Sequence, residues 1–402
     1  MNTRSVVSLW SFDKVALLFL VVAGVGLFAK QLSMHPLIEL GDSPGFRVVQ
    51  PDSYVDYDRD LYIERVVFKP FTTIVHAPTI VEGPNSALHA FWYGGSREGG
   101  KDVAIYGAQF NQGNGIWSDP RQVVTREQTQ KDLNRYIKKL GNPVVTVDES
   151  KRFWLFYVSV SVGGWAGSSI NVKWSDDGIN WTPAKRLITS PFLNLSTLVK
   201  GNPIIYSDGH LVVPAYHEFI GKFAELIDVD MDGNVYNKRR LSWGREALQP
   251  SIRVRNSDQA QVYMRYAGAK PSRVMLTETA DKGYSWTKPI KTQLPNPDAA
   301  IAVLGVRGGA LKDALIMVFN NSPESRNRLS LGLSKDNGKS WVVLHDFEYD
   351  QSTAERFSYP YMIQTTNGHY HLVYTWNRFQ IKHVVFNNSW LEQLAQTASG
   401  NI

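Results

Sequence analysis

The sequence predicts an all-β fold, a six-bladed β-propeller, preceded by an apolar N-terminal segment. From about residue 70 onward the chain is a succession of short apolar runs, rich in β-branched and aromatic residues, separated by DG, NG, GG or PN turns. A motif of the form Ser/Thr-x-Asp-x-Gly-x-x-Trp also recurs, and its copies are in phase. Asp281 and Asp336 lie 55 residues apart, and Asp176 and Asp281 lie 105 apart, about two such steps. A repeat near 50 residues is one four-stranded blade, so residues 50–390 hold about six.

Composition is consistent with this and removes other classes. The 48 aromatics and 31 Gly favour strands and tight turns. With no Cys, a disulfide framework, a thiolate zinc site and a cysteine nucleophile are all excluded. A net charge of +6, spread along the chain, suits an anionic ligand better than nucleic acid.

The elements follow in chain order. Residues 1–30 contain Val15–Ala29, a charge-free apolar run of fifteen flanked by Lys14 and Lys30. It is shorter than the ~20 residues of a spanning helix and longer than most signal cores. It reads as a signal peptide or a retained signal-anchor and makes the membrane a partner. The expected location is the bacterial cell envelope: anchored in the inner membrane facing the periplasm, or periplasmic or secreted if the segment is cleaved. Residues 31–69 read as linker and entry segment, 70–390 as the propeller and 391–402 as a tail. Only Arg126–Leu140 and Leu391–Ala398 look helical.

In each box the Asp carboxylate accepts turn N–H groups, Gly supplies positive φ, and Trp folds back on the strand pair. The boxes are Asp176, Gly178 and Trp181 (without a leading hydroxyl), Asp281, Gly283 and Trp286, and Asp336, Gly338 and Trp341. A degenerate copy ends at Trp117. These are structural and do no chemistry. Asp228-x-Asp230-x-Asp232-Gly233 copies the start of a calcium loop, but Arg239 stands where a bidentate Glu is needed, so it reads as a turn. The glycine-rich run Gly94–Gly100 lacks the following helix of a phosphate loop. No metal or cofactor is expected.

Beyond the boxes stand His76-Ala77-Pro78, Gly95-Ser96-Arg97-Glu98 with Asp102, Gly141-Asn142-Pro143, Pro214-Ala215-Tyr216-His217-Glu218, Gln249-Pro250, Asn296-Pro297 and Ser358-Tyr359-Pro360. With them, residues 70–390 resemble the sialidase (neuraminidase) family, in its bacterial Asp-box branch. The resemblance implies a site at one end of the propeller axis that removes a terminal acidic sugar. It also implies three Arg on the sugar carboxylate, a Tyr nucleophile activated by a Glu, and an Asp acid/base. Carried over residue by residue, Asp102 takes the acid/base position, with Glu98 its competitor. Arg265 and Arg326 take the second and third Arg positions (Arg328 is two places away), and Tyr359 takes the nucleophile's. Two positions depart: His76-Ala77-Pro78 stands where the first Arg is expected, and Gln249 where the activating Glu is expected. Gln cannot take a proton from Tyr359, so the usual activation is broken unless another carboxylate such as Glu218 or Glu246 substitutes.

The residues also argue for themselves. Arg265, Arg326, Arg378 and Lys382 fall near strand ends beside aromatics, which suits an acidic-sugar pocket with Arg97 nearby and Trp92, Trp165 and Trp376 for stacking. Strand alternation puts Tyr216 and Glu218 on one face and His217 on the other. The expected function is a monomeric exo-glycoside hydrolase acting on a terminal acidic sugar of an envelope or extracellular glycan, with catalytic Asp102, Tyr359 and Glu218. His76, Arg97, Glu98, Gln249, Arg265, Arg326 and Arg378 are the expected substrate contacts. The alternatives are a lyase acting on uronic acids through His76 and Tyr359, and a non-catalytic glycan-binding propeller.

Overall fold

The computed structural model describes residues 12–34, 43–48, 59–190, 194–242 and 244–400. Six antiparallel sheets of four or five strands follow one another round an axis. Blade 1 covers residues 74–124, blade 2 139–186, blade 3 198–240, blade 4 247–295 and blade 5 302–349; blade 6 covers 357–386 together with a strand from the N-terminal side. The chain is an all-β six-bladed propeller.

That extra strand, Tyr62–Val66, lies inside the stretch read as linker. It pairs antiparallel with Gln380–Phe386 and forms the outer edge of blade 6, so residues from both ends of the chain close the ring. Phe46, in the same stretch, is buried in the cluster between blades 3 and 4, and its N–H donates to the Ser257 carbonyl at 2.8 Å. Neither segment carries a periodicity of its own; partners far along the chain define both.

The apolar cores lie between neighbouring blades. Trp154, Phe156, Val158 and Ile170 of blade 2, for example, pack on Leu198, Val213 and Ile227 of blade 3. Each such side chain contributes ~1.5–3 kcal/mol when buried, so stability is distributed round the ring. Trp92 belongs to this core: it is fully buried and stacked on Phe68 at 4.6 Å, and does not face a ligand as the sequence suggested.

The boxes sit in the turns between the third and fourth strands of their blades. Asp281 accepts from Thr279 Oγ1 (2.7 Å) and Ser285 N (2.9 Å), and Asp336 from Ser334 Oγ (2.8 Å) and Ser340 N (2.8 Å). Trp286 and Trp341 each donate to the box Gly carbonyl at 3.1 Å. The blade 2 box corrects the sequence reading. Its working carboxylate is Asp177, which accepts from Ser175 Oγ, Ile179 N and Asn180 N, while Asp176 is exposed and reaches only Arg152 at 3.6 Å. The leading hydroxyl is therefore present as Ser175, and the turn is one residue shorter. In blade 3, Asp230 accepts from Asp232 N and Asn234 N, so its carboxylate is spent on the turn.

Helical content also differs at three places. The helix expected over Arg126–Leu140 is Arg126–Asp132, capped by Thr125 Oγ1 on Gln128 N (3.1 Å); from Lys139 the chain is the inner strand of blade 2. The C-terminal helix is Asn388–Gly400, with Trp390, Leu391 and Ala395 buried against blades 5 and 6. The apolar N-terminal run lies in a helix, Phe12–Met34. No helix among the described residues is long and apolar enough to cross a membrane. Residues 1–11 of the expected signal segment lie outside the described residues.

Candidate active site at the axial mouth

Every inner strand begins at the same end of the axis, and there the backbone departs from regular pairing. Register shifts interrupt the first pairing of blades 1, 2, 4 and 6, between His76 and Thr79, Gly141 and Pro143, Leu248 and Ser251, and Ser358 and Tyr361. Each break holds a proline, which has no N–H to give the ladder. Ala77, Gln249 and Tyr359, just before such prolines, have φ of 51°, 49° and 55°, and Asp298, in the loop between blades 4 and 5, has 54°. A non-Gly residue in this region costs about 1–3 kcal/mol, a cost characteristic of functional positions.

The strain aims polar side chains at the axis. Gln249 is buried, and its Nε2 donates to Tyr359 Oη at 3.3 Å and to Tyr216 Oη at 3.2 Å. Asn142 Nδ2 also donates to Tyr216 Oη, at 3.2 Å, and Arg265 Nη1 donates to Gln249 Oε1 at 3.1 Å. One network thus links blades 2, 3, 4 and 6. Its polarity is fixed, because the amide spends both hydrogens on the two phenols and its carbonyl on Arg265. Tyr359 Oη accepts from Gln249, which leaves its own hydrogen for a ligand.

Three arginines surround this network. Arg265 Nε donates to Asp298 Oδ1 at 2.6 Å, and Arg326 Nη2 donates to the Asp298 carbonyl at 2.5 Å, so the loop between blades 4 and 5 fixes both guanidinium groups. Burial opposes the charge on Arg265, but the Asp298 hydrogen bond, the Asp298 carboxylate and the neighbouring Tyr359 and Tyr216 oxygens together outweigh it and raise its pKa. Burial, then the charge of Arg265, lowers the pKa of Arg326. Arg378 stands at the tip of the blade 6 hairpin with φ 57°, and its carbonyl accepts from Val75 N, beside His76, at 2.7 Å. It pairs with Glu98 at 3.2 Å while half exposed. Such a surface pair is worth only about 0–1 kcal/mol, so Arg378 can exchange Glu98 for a ligand carboxylate at little cost.

His76 is buried with its ring centroid 4.4 Å from that of Tyr359. Its Nδ1 lies 3.1 Å from Thr375 Oγ1, which also accepts from Ala77 N. Burial first, then Arg378, Arg326, Lys200 and Arg265, pushes its pKa well down. Both effects favour the neutral ring. Glu218 is half-buried beside Tyr216, and burial raises its pKa against the opposing charge of Arg265. Trp165 lies over Gly141, whose added Cβ would come within 2.7 Å of the indole, and Lys139 Nζ sits 3.7 Å from the ring centroid.

The mouth therefore assembles Tyr359, Gln249, His76, Arg265, Arg326, Arg378, Glu218 and Glu98 from the sequence reading. Asp102, expected as the acid/base, lies on the same loop as Glu98 and is exposed; its carboxylate accepts from Ser96 N (2.7 Å) and Ser96 Oγ (2.8 Å), and the Ser96 hydroxyl leads in lowering its pKa. A proton donor needs the opposite shift. Arg97 is exposed on the same loop. Arg328 binds Asp346, and Lys382 and Tyr374 bind Glu348, both acceptors lying on the outer strand of blade 5. Trp376 packs on the core between blades 5 and 6. Sequence reasoning missed Asp298 and Lys200; their only signals were places beside Asn296-Pro297 and Gly201-Asn202-Pro203.

A family model described as a BNR repeat-like domain matches residues 86–372. Among solved structures the chain is similar to a Hadza microbial sialidase, with 16% identity, a TM-score of 0.64, and 79% of this chain and 66% of that one covered. It is similar to the NanB sialidase from Streptococcus pneumoniae, with 11% identity, a TM-score of 0.64 and coverage of 81% and 70%. It is also similar to the Trypanosoma rangeli sialidase, with 12% identity, a TM-score of 0.64 and coverage of 84% and 61%. The chain spans about two thirds of the length of these proteins, and at such identities the likeness is one of fold. A search of curated proteins gave no match.

Proposed function

The chain belongs to the BNR repeat-like domain family, and from that premise we propose that it is a sialidase-like exo-glycoside hydrolase holding a terminal acidic sugar at the axial mouth. The observation that carries this reading is the convergence of Arg265, Arg326 and Arg378, from blades 4, 5 and 6, round the Tyr359 hydroxyl and His76. Groups that donate hydrogen bonds and bear positive charge suit a carboxylate with hydroxyls near it. Arg378 stands in for the missing first arginine of the sialidase pattern.

In this reading Glu218, its pKa raised by burial, donates the proton to the leaving oxygen as the glycosidic bond breaks. A water adds to the anomeric carbon and yields its proton to Glu98, the carboxylate on blade 1. The Tyr359 oxygen faces the developing positive charge. His76 does not serve as a lyase base, because burial among cations keeps its affinity for a proton low. Export to the cell envelope is part of the proposal; it is supported by the apolar run Val15–Ala29 and tested by fractionation of the producing cells.

Incubation with 4-methylumbelliferyl glycosides of N-acetylneuraminate and glucuronate tests the assignment. Release of the fluorophore by the protein, lost in Glu218→Gln, is the expected result. One observation favours a second reading, binding without turnover: Gln249 offers Tyr359 an amide that cannot accept its proton. In that case the sugar acids bind without release, and Gln249→Glu confers turnover.

A further inference from the structure

Below the axial mouth, side chains from facing blades cross the axis. Lys200 of blade 3 extends to blade 6, where its Nζ donates to the Pro360 carbonyl at 2.9 Å. Two residues on, Asn202 Nδ2 donates to the Met362 carbonyl at 2.8 Å. Tyr361 of blade 6 donates in turn to the Val145 carbonyl of blade 2 at 3.2 Å. Blades 3 and 6 lie opposite each other in a ring of six, so these bonds span the axis and form a floor under Tyr359.

Lys200 is the unusual member of that floor. It is 2% exposed, its ammonium group bonds one carbonyl, and no carboxylate pairs with it among the described residues. The titratable groups facing it are Tyr359 and Tyr361 of blade 6, with ring centroids 6.0 Å and 4.9 Å from Nζ, and His76 of blade 1, whose ring feels its charge along with those of Arg265, Arg326 and Arg378. An ammonium group removed from water without a counter-charge is unfavourable. Burial lowers its pKa to about 7. Among the described residues no carboxylate relieves that cost, and the groups of the mouth next to Lys200 are Tyr359 and His76.

We propose that Lys200 is the fourth cation of the acid-binding pocket: it takes up a proton when a sugar carboxylate binds above it, and so sets the preference of the pocket for acidic over neutral ligands. Lys200 is a positioning residue here, acting through the Pro360 carbonyl and the field at Tyr359. The inference rests on the acidic-sugar reading of the mouth and adds to it a coupling that the arginines, always charged, cannot supply.

Titration calorimetry tests this with N-acetylneuraminate and glucuronate as probes. It is run between about pH 6 and pH 8.5 in buffers of differing ionisation enthalpy, on the full chain and on Lys200→Met and Lys200→Arg. The expected result is proton uptake on binding to the natural chain, with affinity falling about tenfold over the upper pH unit of the range. Lys200→Met binds more weakly at low pH and takes up no proton; Met keeps a chain of similar length but cannot donate to the Pro360 carbonyl, so the second variant, with a permanent charge, retains a donor there. Lys200→Arg binds without proton uptake across the range. Binding to the natural chain with no proton uptake, or uptake that persists in Lys200→Met, overturns the role of Lys200 while leaving the pocket intact. If neither acid binds at any pH, the acidic-sugar reading itself is overturned, and this inference with it.

Discussion

The two ends of the propeller use the same side-chain types in opposite ways. On the box face, carboxylates are saturated by their own turns: Asp336 accepts from Ser334 Oγ, Ser340 N and Ser340 Oγ, and the Ser340 hydroxyl leads in drawing its pKa to about 2. At the mouth, donors outnumber acceptors. Arg265 and Arg326 share Asp298, Arg378 holds only an exposed Glu98, and the Tyr359 hydroxyl keeps its hydrogen unspent. Positive φ at the boxes falls on Gly178, Gly283 and Gly338, where it costs little, and also on Lys282 and Asn337; at the mouth it falls on Ala77, Gln249, Asp298 and Tyr359, all non-Gly. One end is finished as a structure, and the other is left open to a ligand.

Substitutions should separate the two ends cleanly. The largest expected effect is at the mouth. Arg265→Ala removes a charge-assisted contact and leaves Asp298 and Gln249 without their partner, so probe affinity or kcat/KM falls on the order of 100-fold while the melting temperature moves little. A large drop in melting temperature would instead place Arg265 among the scaffold residues. At the box end, Gly338→Ala does the reverse. Its Cβ would lie 2.0 Å from Tyr263 Oη at a φ of 84°, so denaturant unfolding should show a loss on the order of 3 kcal/mol, with binding per folded molecule unchanged.

A smaller effect is expected where blades 6 and 1 meet. Trp117 Nε1 donates to His383 Nδ1 at 3.3 Å, and His383 Nε2 lies 3.0 Å from His371 Nδ1. Burial lowers both imidazole pKa values, that of His371 to about 3. A group whose folded pKa lies below its unfolded value of about 6.5 contributes fully above that pH and loses its contribution as pH falls toward the folded value. Unfolding midpoints should therefore drop between about pH 6.5 and pH 3, and less steeply in His371→Phe. An equal slope in that variant would assign the acid sensitivity elsewhere. The smallest effect is expected at Asp102, whose exposed carboxylate serves only its own loop: Asp102→Asn should change turnover by less than about threefold. A loss of a hundredfold would return Asp102 to the acid/base role that the sequence pattern gave it.

Much of this contrast was legible in the sequence, though unevenly. The boxes at Asp281 and Asp336 are local, since hydroxyl, carboxylate, Gly and Trp all act within eight residues, and their spacing alone gives the blade length. The blade 2 box was misread because adjacent Asp176 and Asp177 offer two registers, and only the turn geometry selects Asp177. The outer strand Tyr62–Val66 was invisible because its identity depends on Gln380–Phe386, more than 300 residues away. At the mouth, Arg265, Arg326, Tyr359 and Gln249 could be found by pattern. Arg378 gains its place from a hairpin tip that leans on blade 1, and Lys200 from a reach across the axis. Those are tertiary facts. Asp102 fits the pattern, and only the Ser96 hydrogen bonds reveal that its carboxylate is already spent.

The central claim is that the mouth recognises a carboxylate through its arginines. The most direct measurement compares calorimetric binding of N-acetylneuraminate with that of its uncharged methyl ester at one pH and salt concentration. The acid is expected to bind, the ester to bind at least tenfold more weakly, and Arg326→Ala to remove most of this difference. Equal affinity for acid and ester, or binding of neither, would contradict it.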